Sequence, residues 1–192
     1  MTSVQVEILA TALGLAQGIL VLMNKRCNWI VYIVQLAALI AFSYMNSLYG
    51  DLVQNGIMVG ICVYAWWQWG RAESAIRYCT TIQATAVTVL TILAVAVASV
   101  ILRNTDDPLP FIDAFTTVTT FVALWLMALR KVEAWVVWLV NDIAYVVEFW
   151  MLPNQALYLL GLYIVWTALA VATLVNYPRP EGRELVRLPQ FP

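Results

Sequence analysis

A run of aromatic and acidic residues near position 140 carries the side chains of this chain that are best suited to chemistry. Residues 131–150 read KVEAWVVWLVNDIAYVVEFW. If this run is a helix, steps of three and four residues place five side chains on one face. They are Trp135, Trp138, Asp142, Tyr145 and Phe149, and Asn141 and Glu148 border them. A carboxylate among indole and phenol rings is suited to binding a flat organic cation.

The composition is that of a membrane protein. The chain has 192 residues, of which 63% are hydrophobic and 11% are charged, and its mean hydropathy is +0.82. A soluble domain is about 45–50% apolar and about 25% charged. We therefore predict an all-α integral membrane protein, whose length allows about seven spans of about 20 residues with short loops. At membrane depth a carboxylate such as Asp142 is costly unless it is paired or faces water, so it is a candidate site residue.

The residue types that are missing argue against several functional classes. The chain contains no histidine, which is the commonest metal ligand and general base. Its three cysteines, Cys27, Cys62 and Cys79, are widely spaced and are predicted to be packing residues rather than a disulfide or a metal set. A net charge of −1 without a basic cluster argues against nucleic acid as a partner. We predict no catalytic residue, no metal site and no cofactor, and hence no enzymatic activity.

Seven apolar segments are predicted to be transmembrane helices. Their boundaries are 4–23, 28–45, 51–69, 81–102, 111–129, 132–152 and 154–176. We predict one transmembrane domain, 1–176, made of a first repeat (4–69), a linker helix (81–102) and a second repeat (111–176). Residues 177–192 contain four of the seven prolines and are predicted to be an irregular cytoplasmic tail.

The positive charges predict the orientation of the chain. Nine of the ten Lys and Arg residues lie in the loops after spans one, three and five or in the tail, and only Arg103 lies on the other side. Cytoplasmic loops carry an excess of Lys and Arg. We therefore expect a multi-pass protein of the cell (inner) membrane with its N-terminus outside and its C-terminus in the cytoplasm.

An internal repeat relates spans two and six. Four residue pairs are each separated by 106 positions. They are Lys25 and Lys131, Trp29 and Trp135, Tyr32 and Trp138, and Gln35 and Asn141. This shift preserves the direction of each helix, so the halves are predicted to be parallel repeats joined by span four in a 3+1+3 arrangement. In transporters built this way the substrate site lies where the repeats meet, and alternating access comes from rocking one repeat against the other.

Polar and aromatic residues of the other spans complete the predicted site. Gln35 lies in the middle of span two, and helical steps place Trp66 on the face of Asn55. We expect Trp67 and Trp69 to belong to an interfacial aromatic belt. The threonines of span five are expected to make interhelical hydrogen bonds, as are Glu7 and Gln17. The predicted substrate-binding residues are Gln35, Asn55, Trp66, Trp135, Trp138, Asn141, Asp142 and Tyr145.

The predicted substrate is a flat heteroaromatic molecule with polar edges. Ring faces and carboxamides suit such a molecule, and Asp142, which is paired with Leu36 in the repeat, suits a positive charge on the ring. Lys and Arg are confined to the loops, and no glycine-rich anion cradle is present. An unphosphorylated substrate is therefore favoured over its nucleotide form.

Motifs in both halves resemble the PnuC family of vitamin transporters. The first half has K-x-x-N-W at 25–29 and Y-G-D at 49–51, followed by Gln54. The second half has D-A-F-T-T at 113–117 and R-K-V-E-A-W-x-x-W at 130–138. The resemblance implies a SWEET-like 3+1+3 fold and a homotrimer. It also implies facilitated diffusion of nicotinamide riboside, made unidirectional by a cytoplasmic kinase that phosphorylates the substrate.

Rival functions remain open at this point. Relatives in the family carry thiamine or riboflavin, and thiamine also contains a fixed ring cation. A SWEET-like sugar carrier would share the architecture, because indole faces also stack on sugars. A structural or assembly subunit of a membrane complex would transport nothing.

Overall fold

A computed structural model describes residues 2–23, 25–45, 49–71, 77–105, 109–151 and 157–176. Within these ranges the chain forms seven α-helices. They are α1 (Ser3–Leu22), α2 (Asn28–Met45), α3 (Tyr49–Arg71), α4 (Thr81–Leu102), α5 (Pro110–Ala128), α6 (Glu133–Met151) and α7 (Leu157–Asn176). Each predicted span corresponds to one helix, although the predicted start of the seventh span and the tail lie outside the described residues. The all-helical membrane fold predicted from the sequence is confirmed.

Five of the described helices are long and apolar enough to cross a membrane, namely α1, α2, α4, α5 and α7. The other two, α3 and α6, carry polar residues within the helix, including Asn55 in α3 and Asn141 and Asp142 in α6. Such residues are expensive in lipid and are normally turned toward protein. Asn55, Asn141 and Asp142 are all buried, at 8%, 0% and 2% exposure.

The helix ends follow local sequence signals. Capping boxes begin α1, where Thr2 and Gln5 bond each other's backbone N–H groups, and α4, where Thr80 and Gln83 do the same. Proline is the first residue of α5, where its missing N–H costs no helical hydrogen bond.

The helices form two compact units, the first containing α1–α3 and the second α4–α7. In the first unit α2 packs against both α1 and α3. In the second unit α6 packs against both α5 and α7, and α4 packs against α5. The middle helix of each triplet therefore contacts both of its neighbours, and these are the helices that carry Gln35 and Asn141.

The turns that precede α2 and α6 have matching backbone hydrogen bonds. The Lys25 N–H donates to the Leu20 carbonyl, as the Lys131 N–H does to that of Leu126. One turn later the Trp29 N–H donates to the Arg26 carbonyl. The equivalent Trp135 N–H donates to the Val132 carbonyl. The donors and acceptors of the two turns are again 106 residues apart. The numerical repeat in the sequence thus coincides with a repeated backbone geometry.

The second of these turns bends sharply and is held by contacts with the residues that precede α4. Arg130, at φ 55°, follows the end of α5 in a left-handed conformation, and its N–H donates to the Met127 carbonyl, as in a Schellman motif. Arg77 forms a parallel β-bridge with Lys131, and the Lys131 ammonium donates to the Tyr78 carbonyl at 3.1 Å. These contacts fix the chain before α4 against the turn between α5 and α6.

The buried face of α3 differs from the one predicted. Ala65 and Trp69 are buried, whereas Trp66 is 38% exposed. The expectation that Trp69 belongs to an interfacial belt is wrong, because its ring packs edge-on against Trp29 with centroids 5.4 Å apart. The helical face that contains Asn55 continues from Cys62 through a step of three to Ala65, and a step of four then reaches Trp69.

Candidate functional site

The aromatic and acidic face of α6 is largely buried within the second unit. Trp138, Asn141 and Asp142 are at most 9% exposed, and Trp135 and Tyr145 are partly buried. Two buried polar atoms on this face have no hydrogen-bond partner among the described residues, the indole Nε1 of Trp138 and the carboxylate Oδ1 of Asp142. A buried polar group left unpaired costs about 1–3 kcal/mol. One donor and one acceptor, a helical turn apart, are thus available to a ligand.

Asn141 differs from its neighbour Asp142 because its amide is occupied by two threonines of α5. The Thr119 hydroxyl donates to Asn141 Oδ1 at 2.7 Å. Asn141 Nδ2 donates to Thr120 Oγ1 at 3.2 Å. Successive helical residues are about 100° apart around the axis, so Asn141 points toward α5 while Asp142 does not.

Tyr145 connects this amide network to an aromatic cluster on α7. Its phenol oxygen lies 3.3 Å from Thr120 Oγ1. Its ring packs on Tyr163 with centroids 4.4 Å apart, and Tyr163 meets Trp166 edge-on at 5.3 Å. The indole Nε1 of Trp166 is also buried without a partner among the described residues. Among the described residues of the second unit, the cluster therefore adds another indole donor without a partner.

Glu148 is a third residue of α6, after Asn141 and Tyr145, that is hydrogen-bonded to α5, and its contact lies nearer the start of α5. The Thr116 hydroxyl donates to Glu148 Oε2 at 3.0 Å. Within α5, the Thr117 hydroxyl donates to Asp113 Oδ1 at 3.3 Å. The prediction that threonines of span five make interhelical hydrogen bonds is confirmed for Thr116, Thr119 and Thr120.

The first unit contains its own buried polar residues. Gln35 and Trp29 are at most 2% exposed, and Tyr32 is at 5%. The Gln35 Oε1 and Trp29 Nε1 atoms have no partner among the described residues. Asn55 is buried on α3 of the same unit. In this unit, too, an acceptor and a donor on one helix remain available to a ligand.

Trp66 occupies a different environment from the other predicted site residues. The Arg26 guanidinium lies over its ring, with Cζ 4.0 Å from the centroid, and Arg26 Nε donates to the Trp66 carbonyl at 2.6 Å. A Cβ atom at Gly70 would collide with this guanidinium. A glycine is therefore needed there for Arg26 to lie against the end of α3.

The structure brings five of the eight predicted residues together on α6. Gln35 and Asn55 lie buried in the first unit. Residues that the sequence analysis did not assign to the site also contact the α6 face, namely Thr119, Thr120 and Tyr163. The threonine run of α5 was the available signal for two of them, but periodicity alone does not tell which helix a threonine faces.

The electrostatics of the described helices favour a cation over an anion. Their interiors carry carboxylates but no Lys or Arg, since Arg71 is the last residue of α3 and the other described basic residues lie between helices. Phosphate recognition normally uses Arg, Lys or clustered backbone N–H groups. The helices thus offer acceptors and ring faces, without a basic partner for a phosphate.

Comparison with known proteins gives consistent matches. The family described as nicotinamide mononucleotide transporter matches residues 5–179. The nicotinamide riboside transporter PnuC of Neisseria mucosa is 26% identical over 186 residues, covering 88% of this chain and 70% of that protein. The riboflavin/roseoflavin transporter RibM of Streptomyces davaonensis is 24% identical over 131 residues, covering 62% of this chain and 61% of RibM. A crystal structure of the vitamin B3 transporter PnuC has the same fold, with a TM-score of 0.76 and 22% identity over 90% of this chain and 80% of that one.

Proposed function

Because this chain belongs to the nicotinamide mononucleotide transporter family, we propose that it takes up nicotinamide riboside across the cell membrane by facilitated diffusion. The proposal agrees with the named substrate of the Neisseria relative. Nicotinamide riboside is a flat pyridinium with a carboxamide and ribose hydroxyls, so it presents a cation, ring faces and hydrogen-bond donors.

The observation that carries this proposal is the Asp142 Oδ1 atom, which has no hydrogen-bond partner among the described residues. It is buried on the same face as the Trp138 indole, one helical turn away. A carboxylate in a low-dielectric environment strongly prefers a cation nearby, and indole faces also attract cations. We assign Asp142 to the pyridinium charge, Trp135 and Trp138 to the ring, and Gln35 to a polar edge of the substrate.

The same residues make the riboside a better substrate than its phosphorylated form. The family is described by the mononucleotide, yet the interiors of the described helices contain no Lys or Arg to neutralise a phosphate. A phosphate beside the buried Asp142 would add like-charge repulsion to its own desolvation cost.

Riboflavin is the second candidate, because RibM is among the relatives. Riboflavin is a neutral ring system, so it would leave the Asp142 carboxylate without a counter-charge. Thiamine is a ring cation like nicotinamide riboside and is the closer chemical rival.

A ligand panel tests the proposal directly. The thermal unfolding midpoint of the purified protein should rise with nicotinamide riboside, and less or not at all with nicotinamide mononucleotide, thiamine, riboflavin and glucose. A ligand at about 100 times its Kd stabilises by about 2.7 kcal/mol, which is several degrees for a protein of this size. If only thiamine or only riboflavin stabilised the protein, that vitamin would be the substrate and the present proposal would be wrong. Saturable glucose counterflow in proteoliposomes would instead support a sugar carrier.

We infer from the positive charges that the N-terminus is outside and the C-terminus is cytoplasmic. The test uses single-cysteine variants in a background in which the three native cysteines are replaced by serine. A membrane-impermeant maleimide applied to intact cells should label Arg103→Cys but not Arg77→Cys. The reverse labelling pattern would invert the proposed orientation.

We further propose a homotrimer whose transport is made unidirectional by phosphorylation of the riboside in the cytoplasm. Native mass spectrometry of the detergent-solubilised protein should give three copies, and a monomer would contradict the assembly. Proteoliposomes that enclose a riboside kinase and ATP should accumulate label steadily, whereas empty ones should only equilibrate. Equal accumulation in both would contradict the coupling.

A further inference from the structure

The two repeats contain equivalent buried carboxamides in opposite hydrogen-bonding situations. Gln35 and Asn141 are 106 residues apart, and both are at most 2% exposed. The amide of Asn141 is bonded to Thr119 and Thr120. The Oε1 of Gln35 has no partner among the described residues.

The sequence explains this difference through the neighbouring helix of each repeat. The positions of α1 equivalent to Thr119 and Thr120 are Leu13 and Gly14, neither of which carries a side-chain hydroxyl. Leu13 instead packs against an apolar cluster centred on Val6, Ala10 and Ala38.

Part of the contact between the paired helices differs in the same way. Three members of the α1–α2 apolar cluster have polar equivalents, 106 residues later, that bond across α5 and α6. The pairs are Ala10 and Thr116, Leu39 and Tyr145, and Phe42 and Glu148. At these three positions the first repeat has apolar contacts between its two helices, whereas the second repeat has hydrogen bonds.

From this asymmetry we infer that the two carboxamides have divided tasks: Gln35 accepts a hydrogen bond from the substrate, whereas Asn141 is a positioning residue that holds α6 against α5. The inference deepens the proposed function and rests on it. The substrate group that meets Gln35 is a donor, either the carboxamide N–H or a ribose hydroxyl of nicotinamide riboside. Asn141 affects binding through the placement of Asp142 and Tyr145 on the same helix.

The two roles predict opposite effects on the ligand-free protein. Gln35→Leu removes a buried oxygen that has no partner among the described residues, so the unfolding midpoint without ligand should stay the same or rise. Asn141→Leu removes two interhelical hydrogen bonds, so the midpoint should fall by roughly 3–10 °C.

Binding of nicotinamide riboside to the purified full-length protein then separates the roles. Gln35→Leu should raise the Kd about three- to tenfold, the loss expected for one hydrogen bond. Gln17→Leu, which changes another buried glutamine of the first unit, is the matched control and should leave the Kd unchanged. For the positioning role, Thr119→Val should weaken binding and lower the midpoint, and Thr119→Ser, which keeps the hydroxyl, should restore both.

Several outcomes would overturn the inference. One is an unchanged Kd in Gln35→Leu while the wild type binds normally, which leaves the proposed function intact. Another is an unfolding midpoint that does not change in Asn141→Leu. A third is a Thr119→Ser variant whose Kd and unfolding midpoint do not return to the wild-type values. If the wild type binds neither nicotinamide riboside nor any other member of the ligand panel, the proposed function and this inference fall together.

Discussion

The Thr119 hydroxyl lies 2.7 Å from Asn141 Oδ1, across the contact between α5 and α6. The same hydroxyl is 2.5 Å from the Phe115 carbonyl of its own helix, so one donor is shared between an intrahelical and an interhelical acceptor. Both residues are at most 4% exposed. The bond explains why Asn141 and Asp142, adjacent in sequence, differ in chemical availability.

The strength of this contact can be measured with a double-mutant cycle. Thr119→Val and Asn141→Leu should each destabilise the protein, and the double variant should lose less than the sum of the two. Interhelical hydrogen bonds in membrane proteins average about 0.6 kcal/mol and reach about 1.7 kcal/mol, which sets the expected coupling. Additive losses in the free energy of unfolding would show that the two side chains do not interact. Thr88→Val on α4, whose hydroxyl bonds only its own helix at 2.9 Å, is the control.

Replacing Asp142 by asparagine should change the charge preference of the site. Asp142→Asn keeps the size of the side chain but removes its charge, so nicotinamide riboside should bind at least about tenfold more weakly, equivalent to about 1.4 kcal/mol. The reduced riboside, whose ring is neutral, should lose much less affinity. Titration calorimetry with both ligands makes the comparison. If the charged and the reduced riboside lost equal affinity, Asp142 would have no role in recognising the ring charge.

Glu148→Gln is the matched control for that experiment. Glu148 is a carboxylate on the same helix, but its Oε2 accepts a hydrogen bond from Thr116. The variant should therefore alter stability more than the preference for the charged ring. If the preference for the charged ring depended on Glu148 instead, the binding site of the cation would lie near the C-terminal end of α6.

The close approach of Arg26 to Gly70 predicts a position-dependent effect of alanine in α3. A Cβ at Gly56 or Gly60 meets nothing within 4 Å, whereas one at Gly70 collides with the Arg26 guanidinium. Gly70→Ala should therefore be about 0.5–1 kcal/mol less favourable than Gly56→Ala, because it displaces Arg26 from the Trp66 ring. Chemical denaturation of both variants gives this difference. In an Arg26→Ala background the two substitutions should become equivalent, and a persisting difference would refute the explanation.

The thiol of Cys79 should be unusually slow to alkylate. Burial raises its pKa to about 11, and the hydrogen bond and negative charge of Glu133 raise it as well, while Lys131 acts in the opposite direction. At pH 8 about one thiol in a thousand would then be the reactive thiolate, and the reaction should accelerate as the pH approaches 11. Peptide mass spectrometry after timed iodoacetamide treatment measures this against the exposed Cys27.

Glu133→Gln separates the effect of the Glu133 charge on the pKa of Cys79 from the effect of burial. Removing the negative charge should lower the pKa of Cys79 and speed its alkylation at pH 8, with no change at Cys27. A Cys79 that reacts as fast as Cys27 in the unaltered protein would contradict the raised pKa.

Much of the fold follows directly from the sequence. Apolar runs of about 20 residues, separated by short connections, specify seven helices because backbone polar groups in lipid must be satisfied within the segment. The helical period also grouped Trp138 with Asp142 on α6. The 106-residue shift in the sequence alone identifies the equivalent positions of α2 and α6.

The tertiary structure decided which polar groups are already satisfied. Both Asn141 and Asp142 are polar in the sequence, but only the packing against α5 reveals that threonines bond Asn141, while Asp142 Oδ1 has no partner among the described residues. In α3, one step of three rather than four placed Trp69 inside and left Trp66 exposed. Periodicity fixes the relative angles of side chains around one helix, but which neighbouring helix each angle faces is set by the packing of several helices at once.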